Sequence, residues 1–179
     1  MKPNWSRPGS SVMYTPAQVR SLTPVRRNVE QRAVRPDLRD VFLCHAWDDR
    51  NGVAKELHDL LEGVGVRVWF SEKDVPLGTT LLRQIDKGLR NSRIGLVLVT
   101  PAMLGSLRRE GIADRELSAL LARDLLVPVA HKTTFEDIRD ESPLLGSRSG
   151  LSTAEDTLAV VAAKIAELVT VHGDSRAAA

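Results

Sequence analysis

Apolar and polar residues along this chain fall into blocks that switch repeatedly between a strand-like and a helix-like spacing. Short apolar runs bounded by charges or loop residues stand at Val41-Phe42-Leu43-Cys44, at Val66 to Phe70, at Ile94 to Val99 and at Leu125 to Ala130. Runs of this length and composition read as buried strands. Between them, apolar residues recur three and four apart. Gly52 to Leu61 aligns Val53, Leu57, Leu60 and Leu61, and Thr79 to Leu89 aligns Leu82, Ile85 and Leu89. That spacing gives a helix one apolar stripe. Gly63 and Gly65 close the first of these helices, because glycine adopts helix-ending conformations without a Cβ penalty.

The run from Ile94 to Val99 is apolar throughout, as expected of a central strand covered on both faces. Thr100-Pro101 then opens a variable connection as far as Asp114, after which Leu117, Leu120 and Leu121 mark another helical stripe. Pro128 puts the fourth strand where one ladder hydrogen bond can be spared. Residues 132–149 are polar and carry no assignment. Leu151-Ser152 is a brief fifth strand, and Thr153 to Val171 reads as a closing amphipathic helix with Thr153 as cap and Leu158, Val161, Ile165 and Leu168 inward. Strands alternating with helices predict an α/β fold, a flavodoxin-like five-stranded parallel sheet with helices on both faces. Such sheets bind ligands beyond the carboxyl ends of their strands. Chemistry is therefore expected on the loops after Cys44 and Phe70.

A chain of 179 residues builds one ordinary domain. The expected division is an extension over residues 1–39, the domain over 40–171 and a disordered tail over 172–179. In the extension, Thr15-Pro16 and Thr23-Pro24 each offer a cap residue followed by proline at the first helical position, so one or two short helices are expected before Pro36. Residues 1–39 hold eight Lys and Arg against Glu30 and Asp37, while the whole chain carries a net charge of +2. A basic arm of this kind suits nucleic acid or an acidic partner. From Arg20 to Arg39 no aromatic residue stands among its arginines, which favours a solvated polar extension and makes nucleic acid an unexpected partner.

Hydrophobic residues at 42% and charged residues at 27% fit a soluble globular protein. No apolar run approaches the roughly 20 residues of a membrane span, and no apolar core follows Lys2 and Arg7 as in a secretory signal. A cytoplasmic protein without membrane contact is expected. The single cysteine, Cys44, lies in an apolar run where it serves as a small hydrophobe, and the four histidines show no metal-binding spacing. No metal centre is expected. Gly63-Val64-Gly65 precedes a strand rather than following one, so it is no dinucleotide cradle and hydride transfer is disfavoured.

Asp40-Val41-Phe42-Leu43-Cys44-His45-Ala46 resembles the first signature box of Toll/interleukin-1 receptor (TIR) domains. Lys73-Asp74-Val75-Pro76-Leu77-Gly78 resembles the loop after the second strand in that family, and Thr100-Pro101 matches its Ser-or-Thr-Pro after the third. The likeness runs from about Asp40 to Leu168. It implies one of two trades: an interaction module, or an enzyme of the bacterial type that cleaves the nicotinamide glycosidic bond of NAD+. In the enzymes a glutamate on the helix after the third strand is catalytic. Asp114-Arg115-Glu116-Leu117 matches that helix, so the resemblance makes Glu116 the candidate catalytic residue.

Nicotinamide leaves a cationic pyridinium as a neutral molecule, creating an oxocarbenium-like ribose that a fixed carboxylate can stabilise. No acid is needed for the leaving group, so one carboxylate suffices. The plainer reading of Glu116 is a first-turn acid complementing the helix dipole, a part that Asp114 fits better. Around it the resemblance implies substrate contacts at His45, Ala46, Trp47, Phe70, Ser71, Lys73, Asp74 and Ile112. Trp47 suits stacking on a base or on nicotinamide, or else covering the core edge. Asp48 and Asp49 more often cap the next helix than bind a ligand. Ser71 departs from the acidic residue frequent in enzymatic relatives, leaving Glu72 or Asp74 to hold a ribose hydroxyl, and Ile112 stands where many carry Trp.

The expected activity is thus an NAD+ nucleosidase, with NAD+ as substrate rather than cofactor. Its products are nicotinamide and ADP-ribose or a cyclic isomer, and its setting is anti-phage defence. The alternative is a non-catalytic TIR adaptor docking through the loop Val75, Pro76, Leu77 and Gly78. Either implies self-association through TIR–TIR contacts, and a separate sensor or effector as partner.

Overall fold

The computed structural model describes residues 2–70, 81–110, 123–148 and 150–171. The apolar runs do form strands: β1 (Arg39–Cys44), β2 (Val68–Phe70), β3 (Ser92–Val99), β4 (Leu126–Ala130) and β5 (Leu151–Ser152). They make one parallel sheet in the order β2-β1-β3-β4-β5. This is the flavodoxin-like arrangement, with its switch in strand order between β1 and β3. Among the described residues the helices are α1 (Pro16–Arg32), α2 (Val53–Gly63), α3 (Leu81–Asn91), α4 (Pro101–Glu110), α5 (Phe135–Glu141), the four-residue α6 (Pro143–Gly146) and α7 (Leu158–Val169). A short 3-10 turn occupies Trp47–Asp49.

Successive strand residues point to opposite faces, so each strand feeds two cores. On one face Val41, Leu43, Ile94, Leu96, Leu98, Val127 and Val129 pack with α1, α2 and α7. On the other, Phe42, Cys44, Trp69, Val97, Val99 and Leu126 pack with α3, α4 and the helices before β5. Every residue of β3 is buried, as its uninterrupted apolar run predicts. Cys44 is a buried free thiol within the second core. Phe42 lies so close to α3 that a Cβ at Gly88 would stand 2.2 Å from its ring. A residue without a side chain is what that contact needs.

Pro128 sits inside a strand paired on both sides, yet it breaks no ladder. The backbone N–H of His131 donates to Val99 in β3, so by alternation the nitrogen of Pro128 faces the β5 side. Pairing with β5 begins only at Val129↔Leu151.

The structure corrects two expectations in the domain and fills one unassigned stretch. Residues 101–110, read as a variable connection, form α4. Thr100 is its cap, accepting a hydrogen bond from Met103 N at 3.1 Å. Residues 135–146, left without assignment, form α5 and α6, capped by Thr134 and Ser142. The closing helix begins at Leu158 rather than Thr153, because Thr157 accepts from Val160 N at 3.2 Å.

The amino-terminal extension forms one 17-residue helix where one or two short ones are expected. Thr15 caps it with a reciprocal Gln18 bond, as the Thr-Pro signal implies. Thr23 instead turns its hydroxyl back onto Val19 O at 2.6 Å and continues the helix through Pro24. Burial of Leu22, Val25 and Val29 against the sheet offsets the bond lost at that proline. The extension is also not a solvated one. Trp5 and Tyr14 are buried and meet edge to face at 6.1 Å. The buried carboxylate of Glu167 in α7 accepts from Arg7 N at 2.8 Å, Ser6 Oγ at 3.0 Å, Ser10 Oγ at 3.2 Å and Tyr14 OH at 3.2 Å. Arg26 donates to three carbonyls at the end of α7, those of Glu167, Leu168 and Thr170. A cation there satisfies acceptors that the helix leaves open and meets the negative end of its dipole.

Candidate active site at the carboxyl ends of the strands

The strand order reverses between β1 and β3, the switch point beside which sheets of this kind form their ligand crevice. From β1 come His45, Ala46 and Trp47, and from β3 comes Thr100. The two sides are tied together: Thr100 Oγ1 donates to Asp49 Oδ2 at 2.5 Å. Thr100 thus serves α4 as cap and Asp49 as donor. Asp49 does not cap α2, whose first residue follows Gly52 without a side-chain cap.

His45 is buried and its ring stacks on Phe70 at 4.7 Å with 22° between planes. Its Nδ1 donates to the carbonyl of Ala46 at 2.8 Å, which fixes the tautomer and orientation of the ring. His58 from α2 also meets Phe70, tilted by 49° with ring centroids 5.1 Å apart. Phe70 at the end of β2 thus contacts two imidazoles. Ala46 is buried beside them. Trp47 differs from all three, being 56% exposed in the turn that follows β1. The Arg50 guanidinium lies 4.0 Å over its ring and donates to the Trp47 carbonyl at 2.9 Å. A cation stacked in this way restrains an indole that would otherwise rotate freely. Further along the same edge, His131 Nδ1 and Thr153 Oγ1 lie 2.9 Å apart beyond β4 and β5.

Glu116, Ile112, Ser71, Lys73, Asp74 and the loop Val75, Pro76, Leu77 and Gly78 lie outside the described residues. Among the described candidates, His45, Ala46 and Phe70 form a buried wall and Trp47 offers surface for a ligand. Among the described residues, no group of three or more His, Cys, Asp or Glu could hold a metal ion. Thr100, Asp49 and Arg50 were not singled out as site residues from sequence. The Thr100-Pro101 pair carries the same cap signal as Thr15-Pro16, and reading it so would have put a helix start at the crevice.

The TIR domain family model matches residues 41–163. The chain is 30% identical over 135 residues to the 2' cyclic ADP-D-ribose synthase AbTIR of Acinetobacter baumannii, covering 73% of this chain and 49% of that protein. It is 28% identical over 124 residues to the 2' cyclic ADP-D-ribose synthase BtTIR of Bacteroides thetaiotaomicron, covering 66% and 42%. With the NAD(+) hydrolase TcpA of a Theionarchaea archaeon it shares 33% identity over 119 residues, covering 64% and 35%. The chain thus spans less than half the length of these relatives. Among solved structures, the TIR domain of the Toll-related receptor TRR-2 from Hydra magnipapillata superposes with a TM-score of 0.51 at 21% identity, covering 70% of this chain and 93% of that one. The TIR domains of the activated Roq1 resistosome give 0.51 at 15% identity, covering 74% and 99%. These two likenesses concern the fold. With its strand order, its switch-point crevice and a family match across residues 41–163, the chain belongs to the TIR domain family.

Proposed function

We propose that this protein cleaves the nicotinamide–ribose bond of NAD+. The observation that carries the reading is its similarity, across about two thirds or more of its length, to proteins named as NAD(+) hydrolases and cyclic ADP-D-ribose synthases. The crevice supports it physically. An exposed, cation-restrained indole at Trp47 suits a planar base or pyridinium ring, and the buried wall of His45 and Phe70 excludes water from one side. Glu116 is the proposed stabiliser of the ribosyl cation. Water attacking that cation yields ADP-ribose, and a hydroxyl of the same nucleotide yields a cyclic isomer. The proposed setting is cytoplasmic anti-phage defence, with self-association through TIR contacts and a separate sensor or effector as trigger.

The test is incubation of purified protein with NAD+ at high concentration with a crowding agent, products resolved by chromatography. Nicotinamide with either ADP-ribose or a cyclic isomer is expected. Intact NAD+ under forced clustering would contradict the reading. It would favour a non-catalytic adaptor, a reading that Ser71 and Ile112 suit because both depart from the pattern of enzymatic relatives.

A further inference from the structure

At the amino ends of the strands, across the sheet from the crevice, α1, α3 and the lead-in to β4 enclose an open concavity of about 700 Å³. Four arginines line it: Arg32 and Arg35 at the end of α1, Arg90 at the end of α3, and Arg123 ahead of β4. Leu89 and Leu125, both buried, form its floor. The concavity is built rather than incidental. Arg32 Nη2 donates to Leu89 O at 2.9 Å, and Asn28 Nδ2 donates to the carbonyls of Arg123 and Asp124 at 2.8 and 3.1 Å. These bonds lock three separate segments around one space.

Among the described residues its charge is not balanced from within. Asp124 is the one carboxylate among the described lining residues, and it is engaged by Arg148. Arg35 lies 3.6 Å from Asp37 and Arg90 2.8 Å from Asp86, both exposed pairs of the kind that contribute little and exchange readily. Burial, then the charges of Arg35 and Arg123, hold the Arg32 guanidinium below its ordinary pKa. Part of these arginines' role is to meet the negative ends of α1 and α3. Capping two helix ends does not call for four guanidiniums around a common hollow.

We propose that this concavity is a second ligand site, which binds a phosphate-bearing small molecule through Arg32, Arg35, Arg90 and Arg123. Guanidinium pairs phosphate oxygens two at a time, and a hollow of this volume admits a nucleotide or a free polyphosphate chain. Asn28, Arg32 and Arg35 precede residue 41, where the family match begins, so two of the four arginines belong to the amino-terminal extension. The eight residues of β3 put it roughly 25 Å from the crevice. The basic bias of residues 1–39 thereby has a local use. This site stands independently of the NAD+ reading.

Calorimetric titration of the full chain tests it, with inorganic pyrophosphate, ATP and a single-stranded oligonucleotide as probes, at low and high salt. The comparison variant is R35Q/R123Q, at two exposed positions, with unchanged thermal melting as the check on its fold. Pyrophosphate and ATP are expected to bind the wild type, more weakly at high salt, and about ten-fold or more weaker to the variant. Equal affinity for both probes assigns the phosphate chain alone as ligand, and tighter ATP binding assigns a nucleotide. No binding of either probe to the wild type, or equal binding to the variant, overturns the proposal. Oligonucleotide binding tighter than either small anion and lost in R35Q/R123Q also overturns it, in favour of nucleic acid.

Discussion

Thr100 donates its hydroxyl hydrogen to Asp49 at 2.5 Å, joining the loop that leaves β1 to the first turn of α4 across the switch point of the sheet. The same hydroxyl oxygen accepts from Met103 N. Thr100→Val keeps the shape and removes both bonds. It is expected to lower stability by about 1–2 kcal/mol in urea unfolding, whereas Thr100→Ser should stay close to wild type. Equal midpoints for wild type and Thr100→Val would contradict this role.

Gly88 has no room for a side chain, since its Cβ would fall 2.2 Å from Cγ of Phe42. Gly88→Ala must push α3 off the sheet or Phe42 off its rotamer, at a cost of roughly 1–3 kcal/mol. Adding Phe42→Leu should return part of the loss. Failure of the second substitution to help would place the strain elsewhere.

Glu167 is the anchor of the amino-terminal segment. Glu167→Ala leaves the donors at Ser6, Arg7, Ser10 and Tyr14 without their acceptor, an expected loss of about 3 kcal/mol or more. Hydrogen exchange should show residues 6–14 losing protection before the strands. A solvated extension would instead give a change within about 0.5 kcal/mol.

Tyr14 sets an alkaline limit. Burial, then the charge of Glu167, raises its pKa well above the ordinary phenol value. A raised pKa in the folded state means that the neutral form is favoured there. Its contribution is fully present below the unfolded value of about 10 and is lost as pH rises toward the folded value. Wild type should therefore lose stability above about pH 10 more steeply than Tyr14→Phe, whose other alkaline titrations are the same. Parallel curves would show that the phenol ionises as freely folded as unfolded.

The strands, their parallel order and the two-sided core were legible in the sequence, because continuous apolar runs such as Ile94 to Val99 have few other uses. The polar helices were not. Residues 135–146 bury little beyond Ile138, Ser142, Leu145 and Gly146, so their periodicity is faint, and only the caps Thr134 and Ser142 announce them. Helix α4 was announced by Thr100-Pro101 and misread as a connection. At the crevice, the family boxes pointed to His45 and Trp47, but no local pattern relates Asp49 to Thr100, 51 residues away. The seating of the extension depends likewise on Glu167 meeting Ser6 and Tyr14, more than 150 residues apart. Pairings at that distance follow from the fold and leave no trace in spacing.

The most direct measurement is the rate of nicotinamide release from NAD+ by wild type and by Glu116→Gln, with each fold verified by circular dichroism. Loss of a preorganised charge opposite the ribosyl cation is worth about 3 kcal/mol, so the rate should fall at least ~100-fold in the variant. A variant that releases nicotinamide within a few-fold of wild type would contradict the assignment of Glu116 and of the cation-stabilising mechanism built on it.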